Sequence, residues 1–568
     1  MAFPAPRLLI GSSALFLALA LCGCNTQPKV PLSTDIDEAV YRDGVRVLAS
    51  DDFEGRKPGT RGEEKTVNYL AEQFKRLGLK PGNGQSYEQQ VPLAETSVVA
   101  LSMSVLGQSG VHRLEQGKDV VLFSKHAGER QELNRSDLVF AGYGIVAPEF
   151  KWNDYAGLDV HGKTVLVLSG DPGPPSKDPT LFQGNALSAY SRFQYKIEEA
   201  ARQGAAAILL IHDPAVSGYG WNVVQNTWGG AQFALAQANE AEHPSLEGFM
   251  TQEAAHDLVS DAGLDFADLA KSAFKRGFVG RPLNAKVNAT LQSSNRTFNS
   301  ANLIGLLPGG KHKDEYVIYV AHWDSLGLTE HNGVRTVYTG AVDDASGVAG
   351  LLAMAQSFQR TKPGVDRTIV FLATTAAEPN FLGISYYMKN PVLPLAQTAA
   401  FLDLDSFMPG GRTRDISVFG YGTSELDRSV REAALVNGGR ETHPDPFPEL
   451  GLYYRSESYL ISKDGVPALY AVAGIDDAAR GRDYGKSKRM DYLAHFYRQP
   501  TDQYSPDWNV GGALEDLTMY YEVGGRVANT RQFPRWTPNG GTEGRPRRHE
   551  GREGHEGPPP REPPPASN

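Results

Sequence analysis

Apolar residues recur at three- and four-residue steps between Gly62 and Leu77, at Val67, Leu70, Phe74 and Leu77. That is the spacing of one buried helix face. Gly78 and the Pro81-Gly82 pair then end the predicted helix. Ahead of it, Asp51 to Thr60 reads as a turn-rich loop. Farther on come short, solidly apolar runs at Leu138-Val139-Phe140 and Thr164 to Leu168, bounded by Gly and Pro, which read as strands. A helix carrying Phe193, Ile197, Ala200 and Ala201 on one face follows, then Gly204 and a strand from Ala207 to Ile211.

From Asn302 onward the pattern alternates. Tyr316 to Ala321, Thr368 to Ala373, Phe401 to Asp405 and Ala468 to Val472 are predicted strands, and Val348 to Phe358 is a predicted amphipathic helix. Strands alternating with helices predict an α/β fold with a largely parallel sheet covered on both faces. Ligands of such sheets sit at the carboxyl ends of the strands.

Length adds domain organisation. A chain of 568 residues exceeds what one core usually organises. Residues 92–300 read as a second lobe inserted into the first, between an N-terminal part (25–91, with a polar spacer) and the main part (301–536). The lobe contains no compact His/Asp/Glu cluster in its sequence, so no chemistry of its own is expected from it. The tail 537–568 is Gly, Pro, Glu and Arg with almost no apolar residue and is expected to be disordered. Hydrophobic residues at 40% and charged residues at 21% are ordinary for a globular protein. The net charge of −10 argues against nucleic acid as a partner, since phosphate binding needs a basic face.

The first 24 residues change the picture again. Arg7 precedes the apolar run Leu8 to Leu21, too short for a spanning helix and read as a secretory h-region. It ends in Leu21-Cys22-Gly23-Cys24, which resembles a bacterial lipobox with Cys24 as the acylated residue; an ordinary signal peptide is the alternative. Cys22 and Cys24 are the only cysteines, which excludes a disulfide or thiol nucleophile in the mature chain. Acyl chains on Cys24 would anchor the protein to a membrane without spanning it. Asn25 after the cysteine resembles the sorting signal for the periplasmic face of the outer membrane.

Four predicted strand ends each offer a metal ligand: His322 in His322-Trp323-Asp324, Asp343 in the acidic turn Gly340 to Gly347, Glu378, and Asp405. Imidazole and carboxylate groups gathered from separate strand ends are how hydrolytic zinc is held. Each alone is weak evidence, because a lone strand-end acid is commonly a helix cap or an ion-pair partner.

These stretches, with Ala321-His322-Trp323-Asp324-Ser325 foremost, resemble the co-catalytic zinc exopeptidases of metallopeptidase family 28. Val139 to Pro148 and Ser169 to Gly173 resemble the protease-associated domain that some members carry as an insert. The resemblance runs from about Ile36 to Trp536. It implies the zinc exopeptidase fold, a mixed and mostly parallel sheet covered by helices, with a smaller inserted α/β domain. It also implies zinc as the cofactor and aminopeptidase chemistry at peptide amino termini. One zinc would take His322, Asp343 and Asp405, with Asp324 behind His322 fixing its tautomer. The other would share Asp343 and take Glu378 and a late His. The resemblance further makes Asp343–Asp344 a candidate cis peptide.

Three positions depart from that pattern. Ala377 stands where the family places its general base, a loss that typically forfeits about a hundred- to ten-thousandfold in rate. Arg498 stands at the late His, and a guanidinium has no lone pair for a metal. Ser458 replaces a further His. Asp343 and Glu378 without a second zinc would be like charges in a poorly solvated cleft, which is costly. Arg498 could supply the missing charge by forking onto Glu378 or Asp343. His495 is the one nearby substitute ligand, three residues away and so about 10 Å along an extended chain. Three functions remain open: a catalytically impaired family member that keeps one metal and binds a peptide or protein in its cleft, an active periplasmic zinc metalloaminopeptidase, and a surface scaffold.

Overall fold

The computed structural model describes residues 36–331 and 333–537. The leader with Cys24, the spacer to residue 35 and the tail beyond 537 lie outside the described residues. No helix among the described residues is long and apolar enough to cross a membrane.

The chain enters through α1 (Glu38–Leu48), whose first amides are capped by Asp37. Helix α2 (Arg61–Arg76) is capped by Thr60 and buries Leu70 and Phe74. Strand β1 (Glu88–Leu106) then carries the chain into the segment expected as an inserted lobe, called the second lobe below. There follow β2 (Val120–Phe123), β3 (Arg130–Phe140), β4 (Thr164–Leu168), α3 (Phe193–Arg202), β5 (Ala207–Ile211), α4 (Trp221–Trp228), β6 (Leu246–Met250) and α5 (Phe266–Ala273). The 27-residue strand β7 (Arg281–Leu307) returns antiparallel to β1, from Lys286 opposite Leu106 to Leu303 opposite Glu88. The positions expected as the lobe's limits fall inside this ribbon, where Pro92 pairs with Asn299.

The main part continues with β8 (His312–His322), α6 (Ser346–Arg360), β9 (Arg367–Thr374), α7 (Leu382–Lys389), β10 (Thr398–Asp403), β11 (Asp415–Phe419), β12 (Glu441–Pro444), α8 (Glu457–Lys463), β13 (Ala468–Ala473), α9 (Arg482–His495) and α10 (Gly511–Asn529). One mixed sheet runs through both lobes in the order β12-β11-β13-β10-β8-β9-β7-β3-β4-β5-β6-β2. Strands β8, β9, β10 and β13 are mutually parallel where they pair, as are β3, β4, β5 and β6. Every residue of β9 and of β10 is buried, which is why these strands read as continuous apolar runs rather than alternating ones. Ile318, Val320, Val370 and Leu372 pack with Ile384 and Ile461 on one side. On the other, Tyr319 lies against Phe358 and donates to the Tyr520 carbonyl.

One detail differs from the sequence reading. The strand expected from Phe401 to Asp405 leaves the ladder after Asp403, and Asp405 beyond its end comes near His322 and Asp344. The large sheet is mixed, as the resemblance implied, since the β1/β7 ribbon joins both parallel blocks antiparallel.

His212, just past β5, is 4% exposed and its Nε2 lies 3.1 Å from the Tyr219 carbonyl. Burial lowers its pKa to about 4. The unfolded chain therefore binds the extra proton between about pH 6.5 and 4. This contribution to stability is whole above about pH 6.5 and lost as pH falls through that window. Its full size is on the order of 3 kcal/mol. In urea unfolding, the stability gap between wild type and His212→Gln should narrow by that order from pH 7.5 to pH 4. A gap independent of pH would contradict the assignment.

Candidate metal centre

The sheet brings the four predicted ligands together at the carboxyl ends of three adjacent parallel strands. His322 ends β8, Glu378 follows β9, Asp405 follows β10, and Asp343 sits on the turn Ala341–Ala345 that leads into α6. Single ligating atoms of His322, Asp343 and Glu378 fall within 4.8 Å of one another, as do those of His322, Asp344 and Asp405. His322 Nε2 lies 3.2 Å from Asp343 Oδ1. His322, Asp343 and Glu378 are buried, whereas Asp405 is partly exposed and marks the open side.

The acidic turn is held from several directions. Its Asp343–Asp344 peptide is cis. The Asp502 carboxylate accepts from the Val342 and Asp343 amides. Asp344 turns the other way and accepts from the His322, Gly347 and Ser406 amides, so it braces backbone while Asp343 faces the cleft. Gly347 is required here, because a Cβ would stand 1.9 Å from the Leu404 carbonyl and 2.4 Å from Asp344.

Asp324 is fully buried, but its carboxylate accepts from the Ala377 and Glu378 amides at 2.9 and 3.1 Å. The closest partner of His322 Nδ1 is the Asp324 main-chain carbonyl at 3.1 Å, with the carboxylate at 3.8 Å. The backbone carbonyl thus orients the ring with Nε2 toward Asp343, and the carboxylate positions the loop that carries Glu378.

Arg498 points inward. Its Nη2 lies against Glu378 Oε2 in an ion pair that lacks hydrogen-bond alignment, and its buried Nε has no hydrogen-bond partner among the described residues. The contact is single rather than the anticipated fork. The guanidinium lies 5.0 Å from the Tyr497 ring and 6.0 Å from the Trp228 ring of the second lobe. Asn226, also of that lobe, donates to the Arg498 carbonyl. His495 points away: its side chain is 70% exposed and pairs with Asp491. Ala377 is buried and brings no proton acceptor to the cleft. Ser458 is buried, its amide donating to Asp403.

Electrostatics at the site are severe. Burial would lower His322, but Asp343, Asp344 and Asp324 outweigh it and raise the imidazole well above its ordinary value. Burial raises Asp344, reinforced by Asp405, and it raises Glu378 against the pull of Arg498. Burial would lower Arg498, yet the carboxylate of Glu378 holds it firmly protonated. Asp502 is pushed up to about 7 by burial. The carboxylates outnumber the nearby buried cations, and His322 Nε2 faces them as an available donor. The compact donor groups are His322 with Asp343 and Glu378, and His322 with Asp344 and Asp405, each with the chemistry to hold a divalent cation; the predicted set of His322, Asp343 and Asp405 is not itself one of them. At Glu378 the charge is already met by Arg498.

Sequence reading missed Arg56, which is completely buried below the site. It donates to the carbonyls of Trp323, Leu48, Thr339 and Gly340 at 2.6 to 3.0 Å, tying the end of β8 to the acidic turn. A charged residue within a turn-rich loop carries no signal of burial, so only the folded chain shows it.

Strand-end imidazole and carboxylates on a helix-covered, mostly parallel sheet define the zinc exopeptidase class. Residues 302–521 match the profile described as "Peptidase family M28". A "Probable zinc metalloprotease" of Pyrenophora tritici-repentis (strain Pt-1C-BFP) is 27% identical over 255 residues, covering 42% of this chain and 57% of the relative. One of the same name from Pyrenophora teres f. teres (strain 0-1) is 33% identical over 155 residues, 26% of this chain and 32% of that protein. The chain thus spans only about a third to just over half of these curated relatives. Among solved structures, the "Aminopeptidase from Aneurinibacillus sp. strain AM-1" shares the fold, with TM-score 0.51 and 19% identity over 88% of this chain and 95% of that one.

Removing the guanidinium of Arg56 would leave four buried carbonyls without their donor, each costing about 1–3 kcal/mol. Arg56→Met should therefore lower unfolding stability by more than about 3 kcal/mol in urea, with Arg56→Lys recovering only part. An unchanged midpoint for Arg56→Met would refute the tethering role.

Proposed function

We propose that this chain is a catalytically impaired member of its zinc-peptidase family that holds one zinc through His322, Asp343 and Asp405 and binds a peptide or protein ligand in the cleft. The observation that carries the reading is the inward Arg498 against Glu378. A fixed organic cation takes the charge-balancing place that the family resemblance gives to an exchangeable ion. Ala377 removes the proton acceptor beside it. The chemistry a zinc supplies when bound at such a site is Lewis acidity toward a carbonyl or a water. The chain's own residues orient His322 through the Asp324 carbonyl and brace Asp343 through Asp502. None of Ala377, Ser458 and Arg498 can shuttle a proton at neutral pH. Trp228 and Asn226 of the second lobe lie beside Arg498 and place an aromatic and an amide group next to the site.

The donor groups His322, Asp343, Glu378 and His322, Asp344, Asp405 support the competing reading, an active zinc metalloaminopeptidase. Metal analysis of purified protein separates the two. One zinc per chain or fewer, with slow or no turnover of aminoacyl chromogenic substrates, agrees with impairment. Two zincs with brisk release of amino-terminal residues would sink it. The double variant Ala377→Glu with Arg498→His should gain a second zinc and about a hundredfold or more in turnover.

The proposal extends to location: export and acylation at Cys24, with the chain on the periplasmic face of the outer membrane. Cys24→Ser should abolish incorporation of labelled palmitate and release the protein from the membrane fraction. Undiminished labelling would rule out Cys24 as the anchor.

A further inference from the structure

The second lobe holds a cavity of about 330 Å³ that belongs to no part of the metal centre. It opens at the carboxyl ends of β4 and β5, which are parallel neighbours. That is where α/β sheets gather ligands. Its size lies at the lower end of the range for small-ligand sites. The walls are apolar: Leu168 and Ile211 from the strand ends, Leu187, Val216, and Phe266 and Ala270 from α5. Gly170 turns the chain at the end of β4 with φ +78°, where a Cβ would stand 2.9 Å from Val216.

The polar groups around this apolar interior are of one sign. Asp171, Asp213 and Glu449 line the cavity, and none of the described residues lining it is basic. Asp171 is committed, accepting from the Gly173 amide and from the Ser188 amide and hydroxyl. Asp213 and Glu449 differ. Asp213 uses Oδ1 to cap the Ala215 amide, and no ion pair of Asp213 or Glu449 is found among the described residues. Glu449 comes from the main part, on the turn Pro448–Leu450, whose Pro448 carbonyl accepts from the Leu187 amide of the second lobe. Both lobes therefore contribute to the cavity.

An apolar interior lined by Asp213 and Glu449, with no basic residue beside them, selects against carboxylates and phosphates, and against purely polar cations that gain nothing from the walls. It favours a compact apolar group that bears a positive charge. We propose that this cavity is a binding site for an apolar primary amine, the chemistry of a peptide amino terminus whose first side chain is aliphatic or aromatic. The side chain fills the space between Leu187, Ile211 and Phe266, and the ammonium faces Asp213 and Glu449. The site is independent of the metal centre and of whether the cleft retains activity.

The test is calorimetric titration of the full mature chain with leucine amide, in parallel with N-acetyl-leucine amide and glycine amide. Leucine amide should bind at this site, with acetylation or loss of the side chain weakening binding about tenfold or more. Ala270→Trp, which fills the cavity, should abolish that binding, and Asp213→Asn with Glu449→Gln should weaken it about tenfold. Asp343→Asn, placed in the metal centre, should leave it intact. Should Ala270→Trp not fold, the carboxylate pair alone decides, since Asn keeps the cap on Ala215 and Glu449 is exposed. Absence of leucine amide binding, equal binding of the acetylated compound, binding indifferent to both cavity variants, or binding lost only in Asp343→Asn would each overturn the proposal.

Discussion

Negative charge confined at the ends of β8, β9 and β10 is the constraint around which the main part of this protein is arranged. Asp324, Asp343, Asp344, Glu378 and Asp502 are all buried within one neighbourhood. Like charges a few ångströms apart out of water repel strongly, by about 4 kcal/mol at 4 Å even with generous screening. Each is accommodated by a different device. Asp324, Asp344 and Asp502 accept backbone amides, Glu378 faces Arg498, and Asp343 faces His322. Arg56 adds a cation below the turn without pairing to any single acid. Asp405 has no ion pair among the described residues, and its ligating atom lies within 4.8 Å of those of His322 and Asp344, where a divalent ion would balance the charge.

The two lobes are coupled through the same region. Arg498 sits between Glu378 on one side and Tyr497 and Trp228 on the other, with Asn226 on its carbonyl. Arg498 is thereby also a contact between the main part and the second lobe. A flexible lysine would supply charge but not the flat surface that lies near two rings. The β1/β7 ribbon gives this contact its footing, because a single antiparallel pairing extends from the main sheet into the second lobe.

Much of the architecture was legible beforehand. Thr164 to Leu168 and Ala207 to Ile211 are strands with the bounds that their apolar runs suggested. Such runs are unambiguous because parallel strands are buried on both faces. The β1/β7 ribbon was not legible as a unit, since its pairing joins residues some two hundred positions apart and half of each strand alternates with solvent. Among site residues, His322, Asp343, Glu378 and Asp405 stood out by type and by place after a strand. Arg56, Asp502 and the bracing role of Asp344 did not, because burial and hydrogen bonding to distant main chain leave no local mark.

The sequence by itself determined which residue types could stand at the strand ends, and that Ala377 and Arg498 bring neither a base nor a lone pair there, because those properties are intrinsic to the side chains. Only the tertiary structure decided where the charges point: that Arg498 turns inward onto Glu378, that Asp324 spends its carboxylate on two amides, and that a carboxylate from each lobe rims a second cavity. Direction and proximity arise from the packing of strands and turns remote in the chain, and the spacing of residues along a sequence does not encode them.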